Sequence, residues 1–418
     1  MSDPQQAPIA DGVTPDVGFS LTDPYRPESS AVAAERSEDT AGQASEREVE
    51  VADLIHRIGR ELAAAAPEGW IRLAADFSLT VAGGLTQVLY HDEADRIFRA
   101  EAPPHVFELV RQHREMAAAL GAGPWWRMML DLDNTGESTI EYDYGQEPFP
   151  DDQLQSPEAY LADLQAFPRD RMPVWLAAYI LHDDRQVRPA GEAAAAARID
   201  REANIAPIRS EGDFPELPVL WARWATIAAA FVAVRSELGP RIMPALGVFE
   251  GASRSGSTLY LLPGGRAVLS GGVWNAPELD DAYNDGTPLP DVYSGAPQWV
   301  ADPVLNPRSA VGLLSFCYWW DHHAWYRGDS PAADHVRAAV PGVWSAQDVV
   351  DILCGVVSIG PTEEVAVAAA NLVAAAEAGA VSRHTVIALF DNPLDDIDGA
   401  LYQLSMAGLL EEIESLKV

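Results

Sequence analysis

Cysteine is nearly absent: the chain has 418 residues and only Cys317 and Cys354, with no CxxC spacing. That excludes a disulfide framework and a cysteine-built zinc site, and it fits a reducing compartment. Positive charge is scarce too. Lys and Arg number 28 against 63 Asp and Glu, a formal net charge of −35 at pH 7. A field of that sign repels phosphate backbones and anionic lipid, so neither nucleic acid nor a membrane is expected as a partner. The same field speeds encounter with a basic protein. Plain solubility or salt adaptation also accounts for excess acid, and the sequence leaves both readings open. Long apolar runs are missing; Ala225–Ala233 falls well short of the roughly 20 residues that cross a bilayer. No basic cluster followed by an apolar stretch opens the chain, so no secretion signal is expected and a cytoplasmic location is. P-loops, GxGxxG fingerprints and nucleophile elbows do not occur, and Gly83-Gly84 and Gly264-Gly265 are expected to form turns. No cofactor is expected.

What is present is ample core material. An apolar fraction of 48% over 418 residues predicts two domains. Residues 1–48 are rich in Pro, Ser, Ala, Glu and Asp and are expected to be a disordered acidic tail. Residues 49–183 carry the first α+β pattern, 184–212 read as a linker with some helix, and 213–418 form a second α+β region. Val51, Leu54, Ile55, Ile58 and Leu62 share one helical face, and that helix ends before Pro67. Two β-leaning runs around Gly83-Gly84 predict a hairpin. Val106, Val110, His113, Ala117 and Leu120 mark a second helix stopped by Gly121, and further helices are expected from about 157 to 182. The order is α-β-β-α-β-β plus a helical extension, with helices packed on an antiparallel sheet. In the second region, Leu217–Leu238 predicts a helix and Pro263-Gly264-Gly265 a hairpin turn. Residues 276–300 look like a long surface loop, and the stretch from Ser345 to Leu416 is mostly helical.

The run Asp131-Leu132-Asp133-Asn134-Thr135-Gly136 poses a choice between a calcium loop and a hairpin turn. Counted from Asp131, an EF-hand needs an aliphatic residue at position 8 and Glu at position 12; Ser138 and Tyr142 stand there, so the match fails. A three-residue loop of Asn134, Thr135 and left-handed Gly136 explains more. It sets Leu130 opposite Ile140, Met128 opposite Tyr142 and Trp126 opposite Tyr144 on a core face. Asp131 then opposes Thr139, Met129 opposes Glu141 and Arg127 opposes Asp143 on the outer face. Asp131, Asp133, Glu141 and Asp143, with Asp151 and Asp152 just beyond, are the candidate partner-binding residues; a merely solvated face is the alternative.

Residues 50–182 resemble the YezG-like (DUF600) family on two motifs: Glu68-Gly69-Trp70, and W-x(3)-L-x-L-x(3)-G-x(3)-I-x-Y-x-Y from Trp126 to Tyr144. The resemblance implies an immunity protein, an antitoxin that binds a polymorphic toxin and blocks it without turnover. It covers about a third of the chain, fixes no contact residue, and leaves 213–418 without a role. A basic cognate toxin is the partner implied.

The rival signal is Asp321-His322-His323, set among Tyr318, Trp319, Trp320 and Trp325. Asp and His are good metal ligands, so a metal-dependent hydrolase is the alternative function. The further aspartate motifs of such enzymes are missing, and the aromatic residues predict a helix surface or a packed core corner. They also fit a partner-facing patch or scaffold. Asp391–Asp398 holds several carboxylates; Asp395 or Asp396 is expected to cap the following helix.

Overall fold

A computed structural model describes residues 38–119, 123–357, 360, 362–390 and 392–411, with side chains in the first helix from Val49 onward. The chain divides into Met1–Glu50 and one compact unit, Val51–Val418. Of the expected tail, residues 1–37 lie outside the described residues, while 38–48 are helical rather than disordered and begin α1 (Glu38–Ala64). Ala, Glu and Gln there favour helix once a packed turn has nucleated it.

The first sheet is built from β1 (Trp70–Thr80), β2 (Gly83–Asp92), β3 (Ile97–Ala100), β4 (Arg127–Asp133) and β5 (Ser138–Asp143), in the order β3-β2-β1-β4-β5. All neighbours are antiparallel. The helix α2 (Pro104–Ala118) falls between β3 and β4 in the chain. Period-two alternation puts Leu73, Ala75, Phe77, Val88, Tyr90, Met128 and Leu130 on one face, where Ile58, Leu62, Val106 and Val110 of the two helices close over them. The short strand β3 was not anticipated. The Gly pair is also not itself the turn: Thr80 pairs with Gly83, so Val81 and Ala82 form the loop and the glycines open β2. Gly84 has to be small, because a Cβ would meet Ser78 O at 2.9 Å and Phe107 at 3.0 Å. Leu120 and Gly121, the expected helix stop, lie outside the described residues.

Two helices follow, α3 (Pro157–Ala166) and α4 (Val174–Leu181), where the pattern predicted them. The stretch 184–212, expected as a linker with some helix, carries that helix and also reaches the second sheet through two residues near its end. After α5 (Ala190–Glu202) comes β6 (Ile208–Arg209), and Gln186 before it exchanges two hydrogen bonds with the Leu314 backbone. The second sheet adds β7 (Arg241–Met243), β8 (Leu246–Glu250), β9 (Gly256–Leu262), β10 (Arg266–Gly272), β11 (Phe316–Asp321) and β12 (Ala324–Arg327). Its seven strands run β6-β12-β11-β10-β9-β8-β7, and β9 and β10 turn through Pro263-Gly264-Gly265 as expected.

One face of this sheet meets α6 (Leu217–Ala233), which is apolar almost all round and buried almost all round, as that pattern requires. Behind α6 stand α8 (Ala346–Val357), α9 (Glu363–Glu377), α10 (Arg383–Ile387) and α11 (Ile397–Met406); the intervening α7 (Pro277–Asn284) lies elsewhere, against α4. The opposite sheet face corrects a second expectation. Of residues 276–300, expected as a long surface loop, the first part is the helix α7; the irregular stretch 285–306 that follows buries Val292, Ala296, Val300 and Leu305 on Val268, Cys317 and Trp319. A composition rich in Pro, Asp and Gly signals the lack of regular structure but not the burial. The two sheets are joined where Val174, Ala177 and Ala178 of α4 pack on Ala276, Leu279 and Tyr283.

With both faces covered, β10 has no slack. A Cβ on Gly271 would collide with the Gly256 carbonyl and stand 2.6 Å from the Phe316 ring. Gly271→Ala is therefore expected to destabilise the chain by about 1–3 kcal/mol. Urea unfolding checks this, and an unchanged midpoint contradicts the packing described.

Among the described residues, no helix is long and apolar enough to cross a membrane.

Candidate functional site

From Arg127 onward the β4–β5 hairpin has the register expected of it: Arg127 pairs with Asp143, Met128 with Tyr142, Met129 with Glu141, Leu130 with Ile140 and Asp131 with Thr139. The expected pairing of Trp126 with Tyr144 does not follow: Trp126 N donates to Asp143 O at 2.9 Å, and its ring packs with Phe149, Tyr160 and Trp175 instead of on the Met128–Leu130 face. Gly136 has φ +93°, and Asp133 N donates to Glu137 O at 3.0 Å across the loop. Asp133 Oδ1 accepts from Thr135 N (2.9 Å), Thr135 Oγ1 (2.7 Å) and Glu137 N (2.9 Å). The turn's own donors, the Thr135 side chain first, hold this carboxyl below its ordinary pKa. The acid of the would-be calcium loop is thus engaged in closing a hairpin.

The remaining candidates separate by position. Asp131 and Glu141 are exposed on the outer face, in adjacent rows. Asp151 and Asp152 are exposed on the following loop. None of these four has an ion-pair partner among the described residues. Asp143 is different. Arg127 donates to its Oδ2 at 2.8 Å, and Gly145 N donates to its Oδ1 at 2.7 Å, so it ties the strand end together. Glu147 is engaged as well, 2.9 Å from Arg254.

The structure adds Asp76, which was not anticipated. β1 pairs with β4 so that Asp76 faces Met129 and lies in one row with Glu141. It is half-buried; burial pushes its carboxyl above the ordinary pKa, the Gln153 hydrogen bond and Arg127 oppose that, and the nearby charges of Asp131 and Asp152 add to it. Gln153 rivets this end of the face. Its Nε2 donates to Asp76 Oδ2 (3.0 Å), its Oε1 accepts from Arg127 Nε (2.6 Å), and its backbone carbonyl accepts from Ser78 Oγ (2.8 Å). The face is not uniformly acidic: Arg72 and Asp76 share β1, Arg99 lies on β3 and Arg127 on β4, while Asp131 and Glu141 stand on β4 and β5 with Asp152 near Asp76.

Two buried devices hold the hairpin in place. Arg114 of α2 grips Asp163 of α3 with two hydrogen bonds of 2.9 and 2.8 Å, both side chains essentially sealed from water. Its Nε donates to Trp125 O (2.7 Å), while Asp163 Oδ1 also accepts from Val81 N (2.8 Å). The pair therefore pins the chain entering β4 to the turn after β1. The second device is His113, 0% exposed, with Trp125 Nε1 3.3 Å from its Nδ1 and Tyr142 Oη 3.0 Å from its Nε2. Indole N–H can only donate, so Nδ1 accepts, and Nε2 carries the proton given to Tyr142. The Tyr142 ring stacks on the imidazole with centroids 5.6 Å apart.

Burial lowers the His113 pKa from 6.5 to about 4. The unfolded chain then binds the extra proton first, so this histidine's stabilising share is complete above about pH 6.5 and is lost as pH falls towards 4. At 1.36 kcal/mol per unit the loss is about 3 kcal/mol. His113→Gln is expected to flatten stability against pH over that window relative to the native chain. Equal slopes in urea titrations at stepped pH contradict a buried neutral imidazole.

The rival trio sits elsewhere. Asp321 ends β11, Ala324 opens β12 and pairs with it, and His322 and His323 are the two-residue turn between them, at φ +47° and +61°. Both histidines are exposed, and His322 Nε2 lies 3.7 Å from Asp321 Oδ2. The neighbouring Tyr318, Trp319, Trp320 and Trp325 are strand residues in the core, not a helix surface, with the Trp320 and Trp325 rings in edge contact at 5.4 Å. Among the described residues, no three His, Cys, Asp or Glu side chains are grouped so as to hold a metal ion. Asp396 caps α11 as expected, its Oδ1 accepting from Gly399 N at 2.9 Å; Asp391 lies outside the described residues.

The chain matches no protein-family model, and no curated protein is significantly similar to it in sequence.

Proposed function

We propose that this protein is an immunity protein: a cytoplasmic antitoxin that binds a basic toxin and blocks it by occupancy, without turnover of its own. The observation that carries this reading is the β4–β5 half of the outer sheet face. There Asp131, Glu141 and Asp152 stand exposed without ion-pair partners among the described residues, and the half-buried Asp76 of the neighbouring β1 lies close to Asp131 and Asp152. Like charges held together on a rigid sheet are an unfavourable arrangement in the free protein, and a cationic surface relieves it. The YezG-like resemblance of residues 50–182 points the same way. A toxin with a cationic substrate groove is the fitting partner, the carboxylates taking the place of substrate phosphates.

The test is co-purification. Expressed together with the product of the adjacent gene, the protein is expected to come through size exclusion in a fixed-ratio complex with a polypeptide ending in a basic domain. Recovery alone under those conditions, with hydrolytic activity dependent on an added divalent metal, sinks the reading in favour of the Asp321–His323 alternative.

A further inference from the structure

The strand β5 is a free edge of the five-stranded sheet. Natural proteins usually blunt such edges with Pro, Lys, a bulge or a cover. β5 reads Ser-Thr-Ile-Glu-Tyr-Asp, with no Pro and no Lys; its charges, Glu141 and Asp143, are acidic and deter another acidic chain but not a basic one, and its register to β4 is unbroken. The bond from Asp133 N to Glu137 O sets which residues face β4: Thr139 and Glu141 bond inward to it, and the N–H and C=O groups of Ser138, Ile140 and Tyr142 point away. No described residue hydrogen-bonds to those outward groups.

Beside the edge runs an open groove of about 720 Å³ between α1 and the hairpin. Trp70, Leu130 and Leu132 form its floor, and the charges at its rim are mixed, Arg57, Arg60 and Asp53 from α1 and Asp133 from the hairpin. A strand laid along β5 would thus hold alternate side chains over two unlike surfaces. One set lies beside Asp131 and Glu141; the other lies over the apolar floor. Cations suit the first set and apolar side chains the second. A second copy of this chain is the wrong occupant, since β5 paired with β5 sets carboxylate rows against each other in two chains of net charge −35.

We propose that β5 is a docking edge that takes an extended segment of a basic partner protein as a sixth strand, with Lys or Arg on its outer face and apolar residues on its inner one. This rests on the binding reading above and names the mode of contact.

The probes are fluorescein-labelled hexapeptides, titrated into the full chain at low salt and followed by anisotropy. Arg-Val-Arg-Ile-Arg-Val carries its cations on one face; Arg-Arg-Val-Ile-Arg-Val has the same composition with cations on both. The first is expected to bind at least about tenfold more tightly. Backbone N-methylation of one alternate set of residues in the first peptide is expected to weaken binding about tenfold, and methylation of the other set to leave it nearly unchanged. Sensitivity of the apolar set marks antiparallel addition. Ile140→Pro removes an outward N–H without touching the β4 ladder, and is expected to abolish probe binding. Should that variant not fold, the methylated probes on the native chain decide. Equal binding of the two compositions, equal effects of the two methylated sets, or no binding at all overturns the proposal. Failure of these probes in a protein that still inhibits its partner removes the docking edge alone. Probes that bind to a protein inhibiting no neighbour leave the edge and remove the immunity reading.

Discussion

Asp163→Ala is expected to cost about 3–5 kcal/mol of stability, among the largest single-residue losses in the chain. Asp163 is 0% exposed and Arg114 5%, so the substitution strands a guanidinium where water cannot solvate it. It also removes the acceptor of Val81 N. The ion pair is not for that reason a strong net stabiliser: desolvating two charges offsets much of their attraction, and an apolar pair of similar volume is often as stable. Arg114→Leu combined with Asp163→Leu is therefore expected to lose less than the sum of the single changes. Urea unfolding of the four chains measures this. A single-variant loss below about 1 kcal/mol contradicts the buried geometry. Because the pair fixes the entry to β4, Asp163→Ala is also expected to weaken partner binding at temperatures where the fold persists.

Reversing Asp131 and Glu141 together, to Lys, is expected to weaken partner binding by at least about a hundredfold at low salt, with a smaller loss as salt rises and screening shortens the Debye length to about 10 Å at 0.1 M. Both side chains are exposed and make no hydrogen bond or ion pair among the described residues, so stability is expected to stay within about 0.5 kcal/mol. The sequence alone recommends adding Asp143 to this set. The geometry advises against it, because Asp143 holds Arg127 and reversing it breaks an ion pair within the hairpin. Affinity that is unmoved at every salt concentration means the face is only solvated.

The parts legible in the sequence were those set by local rules. The β4–β5 register follows from period-two alternation and one left-handed Gly136, both contained in the stretch from Arg127 to Asp143. The long helices announced themselves by apolar spacing, and Asp396 by its place before one. Asp76 could not be found that way. It joins the acidic face through the β1–β4 pairing, and register between strands so far apart in sequence is decided by the packed core. The strand β11 was hidden for another reason: a short run that is apolar up to its final Asp321 has no periodicity to separate strand from helix. Its turn uses two left-handed histidines in place of the usual Asn-Gly, so the hairpin signal was absent. The segment covering the second sheet was irregular and buried at once, a combination that composition does not reveal.

The most direct test of the central claim is a titration of the basic toxin domain that the proposal expects the neighbouring gene to encode. Its activity on its own substrate is followed as this protein is added. The account predicts a linear fall to zero at a fixed low stoichiometric ratio, abolished when Asp131 and Glu141 are reversed. Undiminished toxin activity at a large excess of this protein would contradict it.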